Sequence, residues 1–124
     1  MMAESREPTL RVTMLPRDTN ARGTIFGGVI LSHIDLAGAV AASRLSPRNF
    51  VTRAMREVEF IAPVYVGDVV SFYTSVAREG RTSITIHVLV EAERAGEAKK
   101  HVRVTEAEVI YVAVAENGKP TPIR

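Results

Sequence analysis

The chain has 124 residues, a formal net charge of +2, and 46 % apolar and 24 % charged residues. That length suits one domain with one modest core. The balanced charge lacks the concentrated basic stripe of a nucleic-acid-binding protein, and the absence of cysteine excludes disulfides, thiolate nucleophiles and cysteine metal sites.

Residues 1–8 are polar, carry no apolar signal core and read as a flexible tail. No apolar run is expected to reach the length of a bilayer span. A cytoplasmic protein with no membrane partner is therefore expected. The domain is expected over residues 9–118, with 119–124 as a C-terminal tail.

Thr9 to Met14 alternate as a first strand, with Leu10, Val12 and Met14 on one side. Pro16 stops it, and residues 16–23 (PRDTNARG) are rich in turn formers. Gly27-Gly28 opens a helix to about Leu45. Ile30, Ile34, Ala37, Ala41 and Leu45 recur at threes and fours, and Val29, Leu31, Leu36 and Val40 add apolar residues on the other sides. A helix apolar nearly all round is expected to be buried. Pro47 and Asn49 end it.

Four strands are expected next, over Phe50–Phe60, Val69–Arg78, Arg81–Glu93 and His101–Ala115. The third alternates best, with Ile84, Ile86, Val88 and Val90 on one face. Turns fall at Val66-Gly67-Asp68, Glu79-Gly80, Ala95-Gly96-Glu97 and Asn117-Gly118. Arg94, Lys99, Lys100, His101 and Arg103 interleave with Glu91, Glu93 and Glu97 as a solvated, mixed-charge hairpin end. Short connections imply antiparallel neighbours. The expected fold is α+β: one long central helix wrapped by a curved antiparallel sheet of about five strands, which describes a hotdog fold. Such a sheet has open edges, so edge-to-edge pairing with a second copy is expected.

Asp35 is the most informative residue for chemistry. An unpaired carboxylate two turns inside an apolar helix would cost several kcal/mol, so it must be hydrogen-bonded, paired or protonated. It serves a functional cleft, or it ends up in solvent or caps a neighbouring loop; burial energetics do not separate these readings. Gly27 and Gly28 permit close approach, and the unpaired N–H groups of a helix start can hold an oxyanion. Gly28, Ser32 and Asp35 share one helix face, so a carbonyl near the helix start could meet both oxyanion donors and a base. Gly80-Arg81-Thr82-Ser83 is a hairpin turn whose guanidinium, hydroxyls and free N–H groups could bind phosphate. His33 reads as a packed histidine, and His87 and His101 have no matching ligands. No metal site is expected, and no G-x-S-x-G elbow or phosphate loop is present.

Taken together, Leu15-Pro16-Arg17-Asp18-Thr19-Asn20-Ala21-Arg22-Gly23-Thr24-Ile25-Phe26-Gly27-Gly28 and Asp35 resemble the signature of hotdog acyl-CoA thioesterases of the YciA and cytosolic acyl-CoA hydrolase type. Val51-Thr52, Phe60-Ile61-Ala62-Pro63-Val64, Val66-Gly67-Asp68-Val69 and Gly80-Arg81-Thr82-Ser83 follow in the family's order. The resemblance covers roughly residues 10–116. It implies hydrolysis of acyl-CoA to coenzyme A and a carboxylic acid, without a cofactor beyond the coenzyme A of the substrate. Asp35 then matches the catalytic general base or nucleophile, and Asn20 the asparagine that works with it from the partner chain. Gly27 and Gly28 match the carbonyl-polarising helix start, and Gly80, Arg81, Thr82 and Ser83 the turn that contacts the CoA phosphates. Asp18 matches a structural loop acid. Self-association as a dimer, and as a hexameric trimer of dimers, is implied as well. Arg56 departs from the pattern, which often has an acid there; Glu57 is adjacent. A non-catalytic acyl-CoA sensor or carrier on the same fold is the competing function, and a hotdog hydratase or dehydratase is a further one, for which only His33 lies near Asp35.

Overall fold

Alternation predicts the sheet well. In the computed structural model, which describes residues 7–96 and 100–124, five strands form: β1 (Leu10–Thr13), β2 (Asn49–Arg56), β3 (Val69–Glu79), β4 (Ser83–Glu93) and β5 (His101–Val114). Most of the expected N-terminal tail, with Glu97 and Lys99 of the expected hairpin end, lies outside the described residues. All pairings are antiparallel and the order is β1-β3-β4-β5-β2. Ile84, Ile86, Val88 and Val90 of β4 are fully buried, each worth about 1.5–3 kcal/mol relative to exposure.

Most boundaries fall within two residues of expectation, and one differs by more. The strand expected over Phe50–Phe60 ends at Arg56, because Glu57 takes the left-handed conformation with φ 59°. A non-glycine residue there breaks an extended run. Residues 57–68 are then an irregular connection, so β2 and β3 are not neighbours; β2 pairs with β5 and forms an open sheet edge.

The sheet wraps the single α-helix, α1 (Gly27–Leu45). A short 3-10 turn at Pro16–Asp18 precedes it. Ile30, Ile34, Ala37, Gly38 and Ala42 form its buried face. The expected burial on every side is not what one protomer provides. Five strands cover one side only, and Leu36 on the other is 56 % exposed. By length and composition the helix would suffice to cross a membrane, against the sequence expectation; here it is the core helix of the sheet. Small residues let it sit deep: a Cβ on Gly38 would collide with the Tyr111 hydroxyl. That hydroxyl donates to the Asp35 backbone carbonyl at 2.6 Å. α1 ends at Ser46, whose extended backbone (φ −155°, ψ 143°) suits a residue before proline. Beyond β5 the chain returns to this end of the helix. Ile123 is 2 % exposed, its N–H bonds the Arg81 carbonyl, and the Ser46 hydroxyl donates to the Ile123 carbonyl at 2.8 Å.

The Val66-Gly67-Asp68 turn is held from within. Gly67 has φ +90°, and its N–H bonds the Met14 carbonyl. The Asp68 carboxylate, in a residue only 1 % exposed, accepts from the Tyr65 N–H at 2.9 Å and from the Arg94 guanidinium at 2.6 Å. Arg94 also donates to the Pro63 carbonyl and lies 4.7 Å over the Tyr65 ring. Arg94 therefore leaves the expected solvated charge run and clamps the loop.

Two stability changes follow. Asp68→Ala leaves Arg94 without its buried partner and should cost about 3–5 kcal/mol, read as a lowered midpoint in urea unfolding. Gly38→Ala forces the helix off Tyr111 and should cost about 1–3 kcal/mol by overpacking, read as a lower Tm.

Candidate active site

A helix carboxylate needs a donor when its surroundings are apolar. Asp35 is half-buried on α1, and the Thr52 hydroxyl donates to its Oδ1 at 2.7 Å. The Tyr111 hydroxyl also lies close to this carboxylate. Tyr111 fixes the same residue's backbone from below. Burial first, and the nearby Asp35 carboxylate second, push the Tyr111 hydroxyl well above the ordinary tyrosine range. It therefore keeps its proton and stays a donor. Asp35 thus bonds a residue of a strand, Thr52, and not a loop.

The sequence marks Thr52 only as part of the Val51-Thr52 motif and does not single out Tyr111. Their roles depend on register. Thr52 pairs with Tyr111, so both face the helix at one level. The signal that could have found Thr52 is its place two residues after Phe50: a polar side chain on the inward side of a strand.

Gly27 and Gly28 start the helix as expected. Phe26 is the N-cap residue and makes no side-chain cap. Aromatic rings flank the two glycines: a Cβ on Gly28 would meet Phe26 at 2.6 Å and one on Gly27 would meet Phe60 at 3.6 Å. However, Gly28 and Asp35 are seven residues apart on one helix, roughly 10 Å along its axis. One carbonyl cannot touch both. The expected meeting of oxyanion donors and carboxylate is not made within one protomer.

Asn20 organises the loop before the helix. Its Oδ1 accepts from the Arg22 and Thr24 N–H groups at 2.9 and 3.2 Å, and its Nδ2 donates to the Thr24 hydroxyl at 2.9 Å. A carboxamide has two N–H donors, so one is left to act outside the loop. Within the protomer Asn20 makes no hydrogen bond to Asp35. Asp18 is a structural acid: its carboxylate accepts from the Leu15 N–H and its carbonyl from the Phe26 N–H.

In the Gly80–Ser83 turn one N–H group of the expected cradle, that of Gly80, is engaged within the turn itself. The Gly80 N–H is taken by the Ser83 carbonyl at 2.8 Å, and the Arg81 and Thr82 carbonyls accept from Ile123 and Ala113. Arg81 is exposed with no ion pair among the described residues, while neighbouring Arg124 is engaged by Glu79 at 2.8 Å. This pair holds the Glu79 carboxyl below its usual range. Thr82 lines a groove of about 490 Å³ together with Thr52.

The histidines stand apart. The His33 Nδ1–H bonds the Val29 carbonyl at 2.8 Å and its ring stacks on Phe72. His87 Nε2 lies 2.7 Å from Glu106, and His101 is exposed at a strand end.

Residues 22–99 match the model of the Thioesterase superfamily. The acyl-CoA thioester hydrolase YciA of Salmonella typhimurium is 40 % identical over 119 residues, which cover 94 % of this chain and 90 % of the relative. Cj0915 of Campylobacter jejuni, a hexameric hotdog fold thioesterase, superposes with a TM-score of 0.90 at 47 % identity, covering 96 % of this chain and 91 % of that one. The hexameric thioesterase y2039 of Yersinia pestis gives 0.89 at 38 % identity and 97 % of both chains. On the fold and on these likenesses, the chain belongs to the family of hotdog-fold acyl-CoA thioesterases of the YciA type.

Proposed function

We propose that this protein hydrolyses acyl-CoA thioesters to coenzyme A and a carboxylic acid, at a site completed by a second copy of the chain. The observation that carries it is the Asp35 carboxylate, half-buried and held at Oδ1 by Thr52, in a chain of this family. The hexameric relatives support assembly as a dimer and as a trimer of dimers. The open edge of β2 and the exposed apolar residues Phe26, Leu36, Phe60 and Ile61 support it as well.

In this reading the thioester carbonyl lies against the partner's helix start, at Gly27 and Gly28. The partner's copy solves the 10 Å separation found along one helix. Asp35 takes a proton from water as it attacks the carbonyl carbon, or attacks that carbon itself to give a mixed anhydride that water then hydrolyses, releasing the acid and restoring the carboxylate. Negative charge collects on the carbonyl oxygen, where N–H groups at the positive end of a helix stabilise it. Collapse of the intermediate breaks the C–S bond and the thiolate leaves to be protonated. The spare N–H of Asn20, from the partner, orients water or carbonyl. The Gly80–Ser83 turn, with Arg81, takes phosphate groups of the coenzyme. A cytoplasmic location accords with such a substrate.

A thiol-release assay over short, medium and long acyl-CoAs tests the activity. Free coenzyme A is expected; binding without release would favour a sensor or carrier. Asp35→Asn should lower kcat by about 10²–10⁴-fold, the range of a general base, with KM little changed. Near-full turnover by this variant would remove Asp35 from the mechanism. Thr52→Val keeps shape but deletes the donor to Oδ1. It should lower kcat about tenfold at unchanged KM, the size expected for loss of one hydrogen bond to a charged group.

A further inference from the structure

The outer face of the sheet, opposite the helix, carries a groove of about 440 Å³ lined by three arginines: Arg53, Arg56 and Arg78. Gly80, Ser83 and Thr85 line it too, with Ala54 and Ile110. We propose that this groove binds the phosphate groups at the nucleotide end of coenzyme A, as an extension of the Gly80–Ser83 turn. The proposal rests on the acyl-CoA reading above and assigns a determinant of substrate recognition within it.

Register shows how the groove is built. Arg78 pairs with Thr85, Thr85 with Ile110 and Ile110 with Ala54. These four form one row across β3, β4, β5 and β2, spanning roughly 14 Å at ordinary strand spacing. The floor is small or short, and long guanidinium side chains stand at both ends. Two β-bulges make this possible. The register shifts between Val76 and Arg78, and again between Thr52 and Ala54. Without the first, Arg78 would oppose Ile84, which is buried in the core; without the second, Arg56 would oppose Ala107, also buried. Each shift therefore turns an arginine from the core side to the outer face. Bulges that re-aim side chains cluster near functional sites.

The charges are not spent locally. All three arginines are exposed, and none has an ion pair or hydrogen bond among the described residues. Glu108 sits opposite Arg56 on the same face, outside the groove lining. One carboxylate against three guanidiniums leaves the groove positive. Guanidinium groups bind phosphate oxygens by paired, charge-assisted hydrogen bonds, and Ser83 and Thr85 add hydroxyl donors. Coenzyme A carries a diphosphate and a 3′-phosphate, so two anionic groups need seats. The turn and the groove share Gly80 and Ser83, which makes them continuous.

The test compares two substrates with one thioester: an acyl-CoA and the matching acyl-pantetheine, which has no phosphate. For the triple variant Arg53→Gln/Arg56→Gln/Arg78→Gln, KM for acyl-CoA should rise about tenfold or more. KM for acyl-pantetheine and kcat for both should stay within about twofold. An acyl-dephospho-CoA should fall between the two. Equal changes for both substrates, no change for either, or loss of the oligomer by light scattering would overturn the proposal. Arg56→Gln alone, at the end of an edge strand, should shift the substrate ratio in the same direction if the triple variant does not fold. Titration calorimetry with coenzyme A tests the groove apart from turnover: the wild type should bind at least about tenfold more tightly than the variant. A wild type that binds coenzyme A but hydrolyses no thioester would instead count against the hydrolase reading alone.

Discussion

The depth at which the helix sits in the sheet governs the rest of the molecule. Gly38 has no side chain, so the Tyr111 ring can lie against the helix backbone and its hydroxyl can reach the Asp35 carbonyl. That one contact fixes rotation as well as depth. Buried Ile30, Ile34, Ala37 and Ala42 then face the sheet, while the Asp35 carboxylate reaches the edge strand at Thr52. Apolar packing alone would tolerate a helix slightly raised or turned, since its energy is nearly non-directional. A buried hydroxyl is less tolerant, because leaving it unpaired costs its full desolvation. Tyr111 is therefore the registration mark of the helix, and the geometry of the candidate carboxylate descends from it.

Strand β2 shows how much one short segment can carry. Thr52 faces inward and holds Asp35; Arg53 and Arg56 face outward on the proposed phosphate groove. A regular strand alternates strictly, so residues 53 and 56 could not both leave the core side without the bulge after Thr52. The bulge also keeps Met55 partly buried against the core, next to Ala54 on the outer floor. Glu57 then ends the strand in a left-handed conformation, a modest backbone strain of the kind that persists where surrounding contacts demand it.

Most of the architecture was legible because its signals are local. The alternation of Ile84 to Val90, the glycine turns, and the period of Ile30, Ile34 and Ala37 each reflect burial on one face. Asp35 stood out as a charge in an apolar helix, an energetic oddity that needs no partner to be noticed. What escaped is non-local. Neither bulge changes the composition of its strand, so alternation could not show that Arg56 and Arg78 face outward. Thr52 gains its role only from an antiparallel register that sets it opposite Tyr111, far along the chain. Sequence lists the N–H groups of the Gly80 turn without showing which carbonyls consume them; the Ser83 carbonyl takes that of Gly80. Helix burial was overestimated for a related reason: apolarity on all sides says that each side is covered, not that one chain does the covering.

That last point links assembly to chemistry. Leu36, Phe26, Phe60 and Ile61 are each between 44 % and 59 % exposed in the protomer. Phe26 and Phe60 flank the helix start and Leu36 lies on the helix, and exposed apolar groups of this kind are usual for a surface that meets another protein. The same helix offers an unpaired N-terminus and a carboxylate that lie too far apart to share one carbonyl. Both deficits disappear if a second copy packs against this side with its helix start beside Asp35. Apolar burial of a few side chains at about 1.5–3 kcal/mol each would then supply the association energy, and the chemistry would need no further device to bring donor and base together. On this reading an isolated protomer is folded but inert, because its oxyanion donors and its base belong to different active sites.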